Sequence, residues 1–206
     1  MSHFISVVLH PLLLPTYIVI LLGYFSPLSI SPLNTLEGRT FLIGLIFLSS
    51  FFLPFLLIVL YIMIKEKQWS INSFLMQESK SRVFPFLLIG IFYTMLVYFI
   101  RLSPQINNLI AIIMSCITIS ILLLTLISNF YKISAHATGI SGMIGLLAVV
   151  NNKAPDSTLF YPLIVLIFLA GCLISARLFV NSHTPNQVLS GIFLGLCSGL
   201  SCYFFI

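Results

Sequence analysis

The sequence predicts an all-α protein, a polytopic transmembrane helical bundle of six to seven spans that forms one integral membrane domain over residues 1–206. Three observations predict it. Hydrophobic residues make up 60% of the chain and charged residues only 6%, against about 25% charge in soluble domains. Apolar runs recur at lengths close to the roughly 20 residues that a helix needs to cross a hydrocarbon core. These runs extend along the whole chain and leave no stretch from which a separate soluble domain could be built.

The apolar runs cover 4–25, 40–64, 83–100, 106–130, 137–150, 159–178 and 187–205. The first contains His10-Pro11 and Pro15. A proline removes a helical hydrogen bond, so a kink or a late helix start is expected there. His10 reads either as a residue facing a polar cavity or as an interfacial histidine beside a helix start. Residues 26–39, with Pro27, Pro32 and Asn34, form a connector. The long polar connector 65–82 interleaves Trp69, Phe74, Leu75 and Met76 with polar residues. That pattern suits an amphipathic segment in the headgroup layer as well as it suits a solvated loop. The fifth run is short, so it is expected either to be partly buried by its neighbours or to begin upstream of residue 137. Six spans plus a re-entrant piece is the alternative. Gly139, Gly142 and Gly145 in that run, and Gly191, Gly195 and Gly199 in the last, place small residues along one helix face and favour close helix approach.

The four cysteines all lie inside apolar runs without metal-ligand spacing, and read as small membrane-core residues. The first residues lack the basic region and cleavage site of a secretory signal, so the first span is expected to be retained. A net charge of +5 rests on few residues placed at span ends, which points to anionic headgroups or phosphates as partners and not to nucleic acid. With sides alternating along the runs, Lys80, Arg82, Lys132, His136, Arg177 and His183 fall on one face, and Arg39, Arg101 and Lys153 on the other. Three basic or histidine-bearing stretches, far apart in sequence, thus converge at one end of the bundle. No inverted repeat and no chain of ionisable groups across the membrane depth speaks for a transporter.

Within these stretches the spacings become specific. Ser134 and His136 flank one small residue at the start of an apolar helix, and Arg177, His183 and Gln187 follow one another at intervals of six and four. Arg82 and Arg177 each offer a planar fork to phosphate oxygens. Ser134 and the N–H groups of a helix beginning near Ala135 suit the same anion. Two histidines without a nearby carboxylate make a poor divalent-ion site, so no metal and no cofactor is expected.

This constellation, from Lys80 to Gln187, resembles the type 2 phosphatidic acid phosphatase superfamily of integral membrane lipid phosphatases. The family's motifs are Lys-x6-Arg-Pro, Pro-Ser-Gly-His and Ser-Arg-x5-His-x3-Asp. The chain keeps Ser134 and His136 of the second motif, with Ile133 and Ala135 for its proline and glycine. It keeps Arg177 and His183 of the third, with Ala176 for serine and Gln187 for aspartate. In the first, Arg82 matches, Leu75 takes the lysine position, Lys80 is a cation from a different backbone position, and proline comes late, at Pro85.

The resemblance implies that His183 attacks phosphorus to form a phosphohistidine and that His136 protonates the leaving lipid alkoxide, with Gln187 orienting His183. Arg82, Arg177, Ser134 and Lys80 would hold the phosphate. The implied substrate is a membrane lipid phosphate or diphosphate, of the undecaprenyl diphosphate, phosphatidylglycerol phosphate or lipid A phosphate type. The implied location is the bacterial inner membrane. Gln187 can accept the imidazole N–H but brings no negative charge, and replacing Asp by Asn in a Ser-His-Asp triad costs on the order of 10⁴ in turnover. Glu78, on the same face, is the one acidic residue that reads as a plausible substitute for the family's aspartate. The alternative function is therefore a catalytically impaired member that binds anionic lipid, or a subunit of a larger membrane assembly or homo-oligomer.

Overall fold

The computed structural model describes residues 2–65, 82–153 and 158–206. The connector read as amphipathic or solvated, with Trp69, Glu78 and Lys80, lies outside the described residues except for its two ends. The described chain is helical throughout: α1 (Ser2–Val8), α2 (Leu14–Phe25), α3 (Leu36–Phe47), α4 (Leu53–Lys65), α5 (Val83–Leu102), α6 (Asn108–Ser128), α7 (Ala135–Lys153), α8 (Phe160–Phe179) and α9 (Pro185–Leu200). Five helical stretches are long and apolar enough to cross a membrane: Leu36–Ile64, Val83–Leu102, Asn108–Ser128, Phe160–Phe179 and Pro185–Phe204. The chain is thus an integral, multi-pass membrane protein.

All the apolar runs become helix, and the fifth is both buried by its neighbours and begun upstream of residue 137. The fifth run gives a full 19-residue helix, α7, which begins at Ala135 and is buried along most of its length. It is the hub on which α2, α6, α8 and α9 pack. The first run is the broken one: α1 ends at Val8 and α2 begins only at Leu14. Pro11 has no N–H to continue the α1 ladder, and the residue before a proline is disfavoured in the helical region. The late start expected there is found.

Proline also shapes the second span. A π-helical turn, Leu48–Phe52, joins α3 to α4 just before Pro54. Pro54 brings no N–H to the Ser50 carbonyl four residues earlier, and the hydroxyl of Tyr93, wholly buried on α5, donates to it at 3.1 Å. Elsewhere hydroxyls inside the bundle turn back on their own helices: Thr118 to the Met114 carbonyl, Thr125 to Ile121, Ser128 to Leu124 and Ser141 to Ala137. Each removes a polar group that lipid could not solvate.

The α9 glycine stripe lies on α7, where it meets Gly142 and Gly145, while Gly139 faces Leu14 and Pro11. A Cβ placed on Gly195 would run into Ser141 Oγ and the Thr138 carbonyl, one on Gly199 into the Gly142 carbonyl, and one on Gly191 would sit 2.7 Å from the Ser134 carbonyl. Bare backbone on α9 therefore lets it lie against α7 at a distance no side chain would allow. The opposite pattern marks α8, whose buried residues Leu166, Ala170 and Leu173 form a single stripe while Phe168 and Tyr161 face outward. Arg177 continues that stripe one turn further, which directs it inward.

Candidate phosphate site at one end of the bundle

The ends of α4, α6 and α8 and the starts of α5, α7 and α9 lie at the same end of the bundle, because each span reverses the direction of the one before it. A cavity of about 320 Å³ opens there. Its polar lining consists chiefly of His10, Arg82, His136, Arg177 and His183. Four of the residues singled out by spacing, from four different helix ends, are thus brought to one space. The rest of the lining is mostly apolar and includes Ile18, Phe86, Ile89, Ile117, Leu124 and Met143. It reaches Gly199 on α9, fourteen residues beyond Pro185, or about 20 Å deeper along the helix axis.

His183 lies in the turn between α8 and α9 and is buried, with 6% of its surface exposed. Its Nδ1 is 3.1 Å from Gln187 Oε1. The same oxygen accepts the backbone N–H of Thr184 at 3.2 Å, while Thr184 Oγ1 accepts the N–H of Gln187 at 3.4 Å. This is a capping box, with Thr184 as N-cap and Pro185 in the first turn. A backbone N–H can only donate, so the Gln187 atom facing it is the carbonyl oxygen. Nδ1 of His183 must then carry the ring proton, and Nε2 keeps its lone pair. Gln187 therefore fixes both the helix start and the tautomer of His183. Burial, with the charges of Arg82, Arg177 and Lys132 nearby, lowers the His183 pKa to about 4, although the Gln187 hydrogen bond acts in the opposite direction. Near neutral pH the imidazole is uncharged.

His136 sits in the first turn of α7, and its Nε2 is 3.1 Å from the Ser6 carbonyl of α1. That carbonyl can only accept, so Nε2 carries the proton and Nδ1 the lone pair. The His10 ring stands edge-on to the His136 ring at 5.7 Å between centroids. Ser134, fully buried, caps α7: its Oγ accepts the Ala137 N–H at 3.4 Å. Its own N–H donates to the Gln187 backbone carbonyl at 3.3 Å and joins the starts of α7 and α9. Ser134 and Gln187 adjoin the histidines without lining the cavity themselves, and Lys80 lies outside the described residues.

The arginines complete the electrostatics. Burial and the Arg177 charge lower the pKa of Arg82, and Lys132 is lowered by burial and by both arginines. Arg177 Nε is shielded from solvent and has no hydrogen-bond partner among the described residues. At the opposite end, by contrast, Arg39 donates through Nε to the Asn34 carbonyl at 2.8 Å, and Lys153 rests over the Tyr203 ring at 4.1 Å. Glu37, at that same far end, is the one acidic residue among the described residues. An assembly of cations and imidazoles with an unsatisfied buried donor and no described counter-charge is suited to an anion. Among the described residues no cluster of His, Cys, Asp or Glu is arranged to hold a metal ion.

Sequence reasoning left two features undecided or unseen. His10 faces the cavity, which decides between its two readings, and the signal for it is the His-Pro pair that breaks the helix. The capping box was legible as Thr184-Pro185-Asn186-Gln187 but was not read as one.

A family model described as the PAP2 superfamily matches residues 128–206. The matched segment contains Ser134, His136, Arg177, His183 and Gln187, and begins downstream of Arg82. No curated protein and no solved structure matches the chain. The match is consistent with the resemblance to the type 2 phosphatidic acid phosphatase superfamily that the motifs carry, and it is confined to residues 128–206.

Proposed function

We propose that this chain is a PAP2-type membrane lipid phosphatase that removes phosphate from a lipid phosphate or diphosphate through a phosphohistidine on His183, in the bacterial inner membrane. One observation carries the reading. The cavity joins a cationic, imidazole-lined end to a mostly apolar arm whose lining reaches Gly199, which pairs a phosphate position with room for hydrocarbon. A soluble phosphate ester would have no use for that arm.

The chemistry follows from the two tautomers. Arg82 and Arg177 hold the nonbridging oxygens, the Nε of Arg177 finding there the acceptor it lacks, while Ser134, expected from the motif to hold phosphate, instead acts behind the cavity wall by capping α7 and tying it to the start of α9. His136 Nδ1, neutral at rest, first takes the proton of the singly protonated lipid phosphate. His183 Nε2 then attacks phosphorus as the P–O bond to the lipid breaks, and the leaving alkoxide takes that proton from Nδ1 of the protonated His136. The Ser6 carbonyl stabilises that protonated form through Nε2–H. In the second step His136 Nδ1 takes a proton from water, whose oxygen attacks phosphorus, breaks the P–N bond, and returns His183 with inorganic phosphate released. Catalysis is then mainly positioning and stabilisation of equatorial charge. Gln187 holds the nucleophile in its tautomer but leaves its positive charge uncompensated, so a slow enzyme is expected.

A second reading, an anionic-lipid binder without turnover, is favoured by the absence of a carboxylate beside His183 among the described residues. Phosphate release by the purified chain from a panel of lipid phosphates and diphosphates, beside His183→Ala and Gln187→Asp, separates the two. Release by the unaltered protein that disappears in His183→Ala supports the phosphatase. Release in Gln187→Asp alone marks a disabled site, and silence of all three with lipid phosphate still bound supports the binder.

A further inference from the structure

The N-terminal segment contributes to the site in a way that residues 128–206 do not. Helix α1 has only seven residues, and its terminal carbonyls are shared out among unlike donors. Ile5 accepts the Leu9 N–H at 2.9 Å, Val7 the His10 N–H at 3.3 Å, and Val8 the Tyr17 hydroxyl at 2.9 Å. In a continuing helix the His10 N–H would serve the Ser6 carbonyl. Because Pro11 ends the helix and His10 turns to Val7, the Ser6 carbonyl instead receives Nε2–H of His136 across 130 positions of sequence.

The same break sets His10. Its Nδ1 accepts the Leu12 N–H at 3.3 Å, which leaves the ring proton on Nε2, on the side of the ring away from the backbone of the break. The ring lines the cavity beside Arg82, Arg177 and His183 and lies edge-on to His136. The charge of Arg177 is felt at both His10 and His136, so an anion drawn to Arg177 arrives within the field of both rings. A tetrahedral phosphate presents more acceptor lone pairs than two arginine forks occupy, and His10 is the remaining cavity-lining imidazole to which the mechanism gives no task.

We propose that His10 is a further phosphate-contacting residue of this site, donating its Nε2–H to a nonbridging oxygen, and that the break at His10-Pro11 builds the site by placing this donor and the Ser6 carbonyl together. The proposal rests on the reading of the cavity as a phosphate site and requires no turnover.

The test uses the full chain in detergent micelles with ring-¹⁵N-labelled histidine. The chain has four histidines, and single His→Gln variants assign them. Inorganic phosphate is the probe. The expected result is a neutral Nε2–H tautomer at His10 and His136, Nδ1–H at His183, and phosphate-dependent shifts at His10 that saturate together with those at His183. His10→Phe is expected to weaken phosphate binding by about tenfold to a hundredfold, the range for a hydrogen bond to a charged group. Shifts at His183 with none at His10, or unchanged phosphate affinity in His10→Phe, would overturn the proposal and leave the phosphatase reading standing. Silence at all the histidines would overturn both. The tautomers and shifts are read on the unaltered protein, so a misfolded variant does not shield the proposal.

Discussion

Two histidines face one cavity and are held by opposite kinds of contact. His183 is fixed by a residue four positions later on its own helix start, through Gln187 Oε1. His136 is fixed by a carbonyl on another helix, 130 positions earlier, at Ser6. The local device is assembled as soon as α9 forms, since the capping box needs only the sequence from Thr184 to Gln187. The distant one exists only once α1 has docked near α7, and only because Pro11 denies α1 its next turn. The two rings consequently carry their protons on opposite nitrogens. The proposed attacking and proton-handling groups require that asymmetry, and among the described residues it arises from one amide side chain and one backbone carbonyl, without a carboxylate.

Breaking the local device at the nucleophile has the largest expected effect. His183→Ala removes the proposed attacking atom, and phosphate release measured over hours is expected to fall to the uncatalysed background. Gln187→Ala leaves the imidazole in place but free to choose its tautomer. A loss of about tenfold to a hundredfold in turnover is expected, the range for a hydrogen bond made by a charged group. The cap also weakens, by about 0.5–2 kcal/mol, which a denaturation midpoint in detergent reads separately. On the distant device, Pro11→Ala restores a helical N–H and allows α1 to continue. The His10 N–H then competes for the Ser6 carbonyl, and a loss of about tenfold in turnover is expected, with His136 moving away from a pure Nε2–H tautomer by ¹⁵N NMR. An unchanged His136 tautomer in Pro11→Ala would separate the helix break from the site.

The pH dependence sharpens the comparison on the His183 side. In the proposed mechanism His183 works as the neutral ring, and its pKa is lowered to about 4, below the ordinary value of about 6.5. Protonation therefore removes activity only as pH falls through about 4, and the acid limb of kcat/KM assigned to His183 is expected there and not near 6.5. Gln187→Asp adds a negative charge that stabilises the imidazolium, so the same limb is expected to move upward in pH. The smallest effects belong to the helices that carry the site. Gly195→Ala forces a Cβ against Ser141 and Thr138 of α7 and is expected to destabilise by about 1–3 kcal/mol. Gly171→Ala on α8, with nothing within 4 Å of the added carbon, is expected to stay within about 0.5 kcal/mol of neutral. Thermal melting in a common detergent compares the two.

The same division into local and distant contacts explains what could be read from the sequence. The helices and their faces were legible because hydrophobic periodicity and length are local properties. Arg177 reads as inward once Leu166, Ala170 and Leu173 are seen to share its stripe. The pairs Ser134/His136 and His183/Gln187 were legible because each occupies a single helix start. The glycines of α7 and α9 were recognised as packing features, but nothing in either stripe says that the other is its partner. The Ser6 carbonyl has no signature at all, since every residue has one, and only the fold decides which carbonyl is left for His136. His10 stood between: its proline neighbour marked a break, while the side on which the ring emerges depends on how α1 and α2 settle against α7.

The central claim is that His183 accepts phosphoryl through Nε2 because Gln187 occupies Nδ1. Rapid acid-free quenching of the purified protein with a ³²P-labelled lipid phosphate, followed by mapping of the labelled peptide and assignment of the phosphorylated nitrogen by NMR, tests it directly. The account predicts an acid-labile, base-stable phosphohistidine at His183 carrying phosphorus on Nε2, formed and lost during turnover. Phosphate release with no phosphohistidine, or with phosphorus on Nδ1 of His183, would contradict it.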